Sequence, residues 1–293
     1  MSQKHIGFTQ IILSGAFFGF LGLFGKTAYQ NNILPGELLG LRFLTSAILL
    51  GIFLALFQRK AFKMSWKSSL ISMLLGILGY AVFSSCYFLA LQGISASLTV
   101  LLLYTYPVMV AIGARLVFKE HIGIKGFIAL VLSSVGLVGL VWGEWAVSGA
   151  VFLIYGLASA FFYSIYILVS RKFLENVSFM GSSFYVQLGA GLTLCILNFR
   201  NLDRPIEVIT NNFGLIVGMA IVCSLIPLTL FLAGLQKVNS SEASILSTTE
   251  PIFGVIVASL FLGERMGLVQ IAGGVLVLTG MVLIALKPKE ITY

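Results

Sequence analysis

Apolar stretches of about twenty residues follow one another along the chain, at 6–29, 36–57, 68–91, 95–118, 122–142, 148–170, 179–199, 213–235, 240–262 and 266–286. A helix of that length covers roughly 30 Å, the hydrocarbon thickness of a bilayer. Water offers no alternative: a soluble domain carries roughly 25% charged residues, whereas this chain is 10% charged and 59% hydrophobic, with a mean hydropathy of +1.05. The runs are continuous rather than alternating, which disfavours a membrane β-barrel. The expected fold is an all-α integral membrane protein of ten transmembrane helices. The first run has Lys4 and His5 before it and no small-residue cleavage site after it, so it reads as a retained helix and not a signal peptide.

A net charge of +8 would fit nucleic acid, but its placement points to topology. Lys4, Arg59, Lys60, Lys63, Lys67, Lys119, Lys125, Arg171, Lys172, Lys237, Lys287 and Lys289 all fall at one set of span ends. The loops at the other set hold Arg200, Arg204 and Arg265, each close to an acid (Asp203, Glu207, Glu264). This is the positive-inside pattern, and it puts both termini in the cytoplasm with no call for a nucleic-acid partner. Cys86, Cys195 and Cys223 sit inside apolar runs without disulfide or metal spacing. No metal or cofactor is expected.

Shifted by 144 residues, the chain aligns with itself. LQGISASLTVLLLYTYPVMVAIGARLVFKE (91–120) lies over LQKVNSSEASILSTTEPIFGVIVASLFLGE (235–264), matching Leu91, Gln92, Pro107 and Glu120 with Leu235, Gln236, Pro251 and Glu264. The same offset sets Gly123 on Gly267, Gly136 on Gly280, and GAFFG (15–19) on SAFFY (159–163). Two units of five spans, 1–145 and 146–293, are therefore expected. Five is odd, so the second unit enters the membrane in the opposite sense. Its loop charges agree: the basic loop at 59–67 has a mixed partner near 200–212. Inverted repeats around a central cavity are the usual build of secondary transporters.

Ten spans in two halves, each with a proline, a glutamate and then a Gly-rich last helix, resemble the drug/metabolite transporter superfamily, specifically its EamA type. Lys26 closing the first span, LRF (41–43), ALQGISAS (90–97) and TYPV (105–108) fit that likeness. The second half departs from it, with no counterpart of Arg42 and with Ser170 at the position equivalent to Lys26. The resemblance implies a cavity lined by spans 1, 3, 4, 6, 8 and 9, and export or exchange of small metabolites without ATP.

The residues that could carry transport are few. Glu250 lies near the middle of the ninth span, where an ionised group costs roughly 2.5–3.5 kcal/mol on insertion scales. It must face a cavity, find a partner or be protonated. Pro251 beside it removes a backbone donor, and the offset gives Tyr106–Pro107 the same depth. Glu250 then contacts a substrate amine or titrates protons; the plainer reading is a kinked helix whose carboxyl is satisfied by Thr248 or Thr249. Pro227 marks a third break. Tyr80, Ser84 and Tyr87 share a face of span 3, Phe162 and Tyr163 lie on span 6, and Tyr104 and Tyr106 precede Pro107. Buried phenols need partners, so these residues are cavity candidates, with aromatic packing as the alternative. Lys26 either faces the protein or snorkels to the interface. Arg42 anchors the helix or pairs with Glu37, with substrate contact as the lesser reading. Glu120 and Glu264 either cap the following helix or latch a gate with Lys119 or Arg265.

GFLGLFGKT (19–27) is not a phosphate loop, since five residues separate Gly19 from Gly25 and no strand precedes them. A membrane enzyme lacks its chemistry here: His5 and His121 lie at span edges, with no acidic metal cluster beside them. The expectation is a secondary transporter of small amphipathic metabolites, such as amino acids or their derivatives, in a cell inner membrane. A carrier of nucleoside-like metabolites such as S-adenosylmethionine is the alternative. Proton coupling, and a monomer or a homodimer, are left open.

Overall fold

In a bilayer every backbone amide must be satisfied within the chain, and the helix does this locally. The computed structural model describes residues 2–142, 147–173, 177–199, 203–263 and 267–285, and within them the chain is helical apart from short connections and one isolated bridge between Ile94 and Val147. Nine helical stretches among the described residues are long and apolar enough to cross a membrane.

Several expected spans are interrupted. The first is α1 (Gln3–Phe18) and α2 (Leu21–Gln30), and the second is α3 (Pro35–Phe57). The third is α4 (Trp66–Leu74) and α5 (Val82–Leu91), joined by a π-helical segment, Leu75–Ala81. The fourth is α6 (Ala96–Leu103) and α7 (Tyr106–Phe118). Then come α8 (Gly123–Leu140), α9 (Ala150–Phe173), α10 (Phe179–Asn198) and a short helix, α11 (Asp203–Asn211). The eighth is α12 (Phe213–Ala220) and α13 (Ile226–Leu235) around a second π segment, Ile221–Leu225. The ninth is α14 (Ser240–Ser247) and α15 (Thr249–Leu262), and α16 (Leu268–Ala285) follows. The tenth expected span corresponds to α16, apolar over its described residues Leu268–Ile284.

The breaks have local causes. Pro107 and Pro251 lie in the first turn of α7 and α15, where their missing N–H and ring clash end the preceding helix. Pro227 stands in the first turn of α13, and there the ladder slips into the π segment instead of stopping. No proline accounts for the π segment in span 3; Gly76 and Gly79 lie within it.

Packing is pairwise. α3 lies along α10 and α8 along α16, while α1 packs on α13, α14 and α15 and α9 packs on α5, α6 and α7. The α8–α16 seam is backbone to backbone: a Cβ on Gly136 would sit 2.7 Å from the Gly273 carbonyl oxygen. At one end, Glu37 bonds the Leu34 amide at 3.1 Å and takes the Arg204 Nε at 3.0 Å. That hydrogen bond to Glu37 holds the Arg204 guanidinium above its ordinary pKa. Arg204 also donates to the Asn32 carbonyl at 2.9 Å, tying α11 to the start of α3. The pairing of Glu37 with Arg42 allowed by the sequence is thus replaced by one with Arg204.

A side chain at Gly273 would meet the backbone of Leu140 and Gly136, which cannot swing away. Gly273→Leu is expected to destabilise the detergent-purified protein by about 1–3 kcal/mol, as overpacking does. The check is a thermal unfolding series in which Gly22→Ala, with nothing within 4 Å of its Cβ, is the neutral control.

Candidate functional site

The site forms where span 9 breaks. Proline at 251 cannot donate to the carbonyl four residues back, and in hydrocarbon an orphan carbonyl is costly. The Ser- and Thr-rich stretch before it adds hydroxyl donors to the carbonyls of the adjoining turns. Ser247 Oγ donates to the Ala243 carbonyl at 2.9 Å, Thr248 Oγ1 to Ile245 at 2.6 Å and Thr249 Oγ1 to Leu246 at 2.8 Å. These hydroxyls serve the backbone, so Thr248 and Thr249 are not the satisfiers of Glu250 that the plainer reading required. The span 4 break is docked to this one: Tyr106 Oη donates to the Ser244 carbonyl at 3.4 Å, and Ser164 Oγ on α9 donates to the Tyr106 carbonyl at 3.4 Å.

Glu250, in the first turn of α15, is partly accessible and forms no ion pair among the described residues. Its electrostatic neighbours come from all sides: Arg42 on α3, Tyr80 and Tyr87 in span 3, Tyr104 and Tyr106 at the span 4 break, Tyr163 on α9 and Cys223 in the second π segment. With neighbours from several helices, the carboxyl sits within the bundle and not on its lipid face. The Tyr104 phenol is its closest polar companion.

The ring's aromatic wall is continuous. Tyr106 meets Tyr163 edge-on with centroids 4.7 Å apart, Tyr104 lies 5.7 Å from Tyr106, and Tyr80 lies 6.3 Å from Tyr163. Of the residues singled out in the sequence, Glu250, Tyr80, Tyr104, Tyr106 and Tyr163 therefore come together, with Tyr87 half-buried nearby. Ser84 is buried one turn beyond Tyr80. Phe162 turns to Phe161 at 5.7 Å. Lys26 is exposed near the end of α2. The sequence stripes undervalued Phe83, 4.7 Å from Tyr163, Tyr166, 5.1 Å from Tyr80, and Phe43, also 5.1 Å from Tyr80. Tyr166 carried a signal, sharing a helical face with Ser159 and Tyr163; Phe43 carried none in an all-apolar run.

The first span crosses the ninth beside the site. Gly15 faces Thr249, and a Cβ on Gly19 would fall 2.6 Å from that of Phe253, so only glycine allows this approach. Beyond the crossing α2 is loosely held, with Ala28 its one buried residue. At the basic end the same helices are fastened. Glu120 accepts from the Ser240 amide at 3.4 Å and from Ser241 Oγ at 3.2 Å, and Lys4 pairs with Glu242 at 2.7 Å. Glu120 thus caps α14 and not the helix that follows it, because Lys119 takes a left-handed conformation (φ 56°) and turns the chain across the bundle. Glu264 and its suggested partner Arg265 lie outside the described residues.

Losing a helix cap costs about 1 kcal/mol, a shift of about fivefold in an equilibrium. Glu120→Ala should therefore raise the labelling rate of a Ser244→Cys probe about fivefold. The measurement uses a membrane-impermeant maleimide at the basic side, with Cys86, Cys195 and Cys223 replaced by serine. An unchanged rate would mean the cap does not hold this end shut.

The EamA-like transporter family model matches the chain twice, at residues 5–142 and 150–286. An uncharacterized transporter of Archaeoglobus fulgidus is 29% identical over 212 residues, 71% of this chain and 75% of its own length. The uncharacterized transporter YxxF of Bacillus subtilis is 23% identical over 96% of this chain and 90% of its own length. A solved crystal structure is similar in fold, with a TM-score of 0.74 at 18% identity over 98% of both chains. The chain belongs to the EamA-like transporter family, a family of membrane transporters.

Proposed function

We propose that this protein is a secondary transporter of small amphipathic metabolites such as amino acids or their derivatives. It exports or exchanges them across the inner membrane by alternating access between two inverted five-helix halves, 1–145 and 146–293, with both termini cytoplasmic. The observation that carries the reading is Glu250: a half-buried acid with no ion pair among the described residues, surrounded by tyrosines of spans 3, 4 and 6 where two broken spans meet.

Features recurring at the 144-residue offset support the two-half architecture. The break at Tyr104 and Thr105 recurs at Thr248, the π segment Leu75–Ala81 at Ile221–Leu225, and the left-handed Lys119 at Gly263 (φ 69°). The packing of α1 on α13 and α15 mirrors that of α9 on α5 and α7. Paired discontinuous helices at the repeat junction are where transporters bind substrate. Alternating access gains support from an asymmetry: every residue of α14 is buried at the basic end, whereas among the described residues of α6, its counterpart, Leu98 and Thr99 are buried and the rest are half-buried or exposed. Such an arrangement is open away from the cytoplasm.

The aromatic wall also bears on the nucleoside alternative. Base stacking needs free ring faces, but Tyr80, Tyr106, Tyr163 and Tyr166 are packed against one another. An amine meeting Glu250 and the phenols is the better fit.

The test is uptake and counterflow in proteoliposomes with labelled amino acids and nucleosides, from about pH 5.5 to about pH 8, a range that brackets a coupling carboxyl. Glu250→Gln is expected to lower uptake at least about tenfold. If counterflow survives but pH dependence is lost, Glu250 carries the coupling proton. If counterflow is lost at every pH, it holds the substrate. Unchanged wild-type rates would remove Glu250 from the mechanism.

A further inference from the structure

Arg42 stands across the ring from Glu250. It is 4% exposed, on the second span, and its Nε is buried without a hydrogen-bond partner. Its guanidinium makes no hydrogen bond or ion pair with any described residue, and it lies over the ring of its own neighbour Phe43, 4.3 Å from the centroid. The Nε–H of a cation is thus held in the bundle without an acceptor, and a buried charge without a partner is strongly unfavourable.

The acids that could have served it are engaged elsewhere. Glu37 on the same helix is held by Arg204 at 3.0 Å, and Glu242 by Lys4 at 2.7 Å. The groups facing Arg42 from the packed elements are Tyr29 on α2, Tyr80 in the first π segment, Cys223 in the second and Glu250 on α15. Glu250 is the one acid among them, and no ion pair or hydrogen bond among the described residues joins it to Arg42. A purely structural pair would be in contact, because both charges gain by it.

We propose that Arg42 and Glu250 are the two poles of a single zwitterion site. Arg42 receives a carboxylate on its planar fork, and Glu250 with the Tyr104 phenol receives an ammonium. The proposal rests on the transporter reading above and names its substrate class: compact molecules bearing one carboxylate and one amine, as in a free α-amino acid. The guanidinium fork matches a carboxylate bidentately. Between the poles the wall is aromatic, so the solute's side chain lies against Tyr80, Phe83 and Tyr163. A solute lacking either charge leaves one pole unmatched, and a site built for a polar group rejects the analogue without it. Dianions fit poorly, with a single cation in the ring.

The experiment is counterflow by the full chain in proteoliposomes, with the twenty amino acids and a set of nucleosides as labelled probes. Each transported amino acid is then competed by its carboxamide and by its deaminated acid. In the wild type both analogues should compete at least about tenfold more weakly than the parent. Arg42→Gln should erase the discrimination against the carboxamide while keeping that against the deaminated acid, Glu250→Gln should do the reverse, and Arg42→Lys should retain part of the first. An amide that competes as well as its parent in the wild type overturns the proposal, and needs no variant to fold. So does an Arg42→Gln protein that still rejects the amide. Exchange of nucleosides but of no amino acid overturns the zwitterion site and leaves the transporter standing; exchange of nothing overturns both.

Discussion

The constraint on which the structure turns is the satisfaction of backbone carbonyls beside Pro251. In water a proline-broken helix draws on solvent for its missing donors; in a bilayer the chain must find them itself. Here the run Ser244 to Thr249 folds its hydroxyls back onto its own carbonyls, at 2.6–2.9 Å. That allows α14 to be polar in composition and still buried along its whole length. It also leaves the Tyr104 phenol as the companion of the Glu250 carboxyl, since the hydroxyls next to it are already spent on the backbone. The Tyr106 bond to the Ser244 carbonyl then fastens one broken span to the other. A site with an unpaired carboxylate thus follows from local hydrogen-bond accounting.

Much of the fold was legible because hydrocarbon restricts the choices. Apolar runs of spanning length, basic residues at one set of ends and a 144-residue offset each carry a direct physical meaning. The breaks at Pro107 and Pro251 were legible for the same reason. Other features depended on partners distant in sequence. Nothing in LLGILGYA announces a π segment, and the one at Ile221–Leu225 hides behind a proline that could equally have ended the helix. Glu37 has Arg42 five residues away and takes Arg204 instead, because α11 folds over the start of α3. Glu120 sits three residues before α8 and caps α14, because Lys119 reverses the chain.

The aromatic residues show the same division. Tyr80, Tyr104, Tyr106 and Tyr163 could be picked out because a phenol in the bilayer needs a partner and so reports a polar surround. Phe43 and Phe83 complete the same wall but carry no polar atom to mark them among twenty-four phenylalanines. Phe162, chosen by helical spacing, is half-buried and meets Phe161, outside the run of ring contacts that joins Tyr80, Tyr106 and Tyr163. Periodicity gives the face of a helix to within a residue or so, and at the rim of a cavity one residue separates lining from lipid contact.

The two breaks share a position but not a chemistry. α14 reads SSEASILS and is sealed by its own hydroxyls, by Glu120 and by the Lys4–Glu242 pair. α6 reads ASLTVLLL, offers Ser95 and Thr99 as its bonded hydroxyls, and is largely uncovered. If the halves exchange roles in transport, α6 must become the buried partner, and it can do so only by apolar packing. The end sealed by α14 relies on charged and capping bonds, which are directional and break as a unit. The end sealed by α6 relies on area, which is gained gradually. The means of closure at the two ends would therefore be unequal by composition: directional bonds at the α14 end, apolar area at the α6 end.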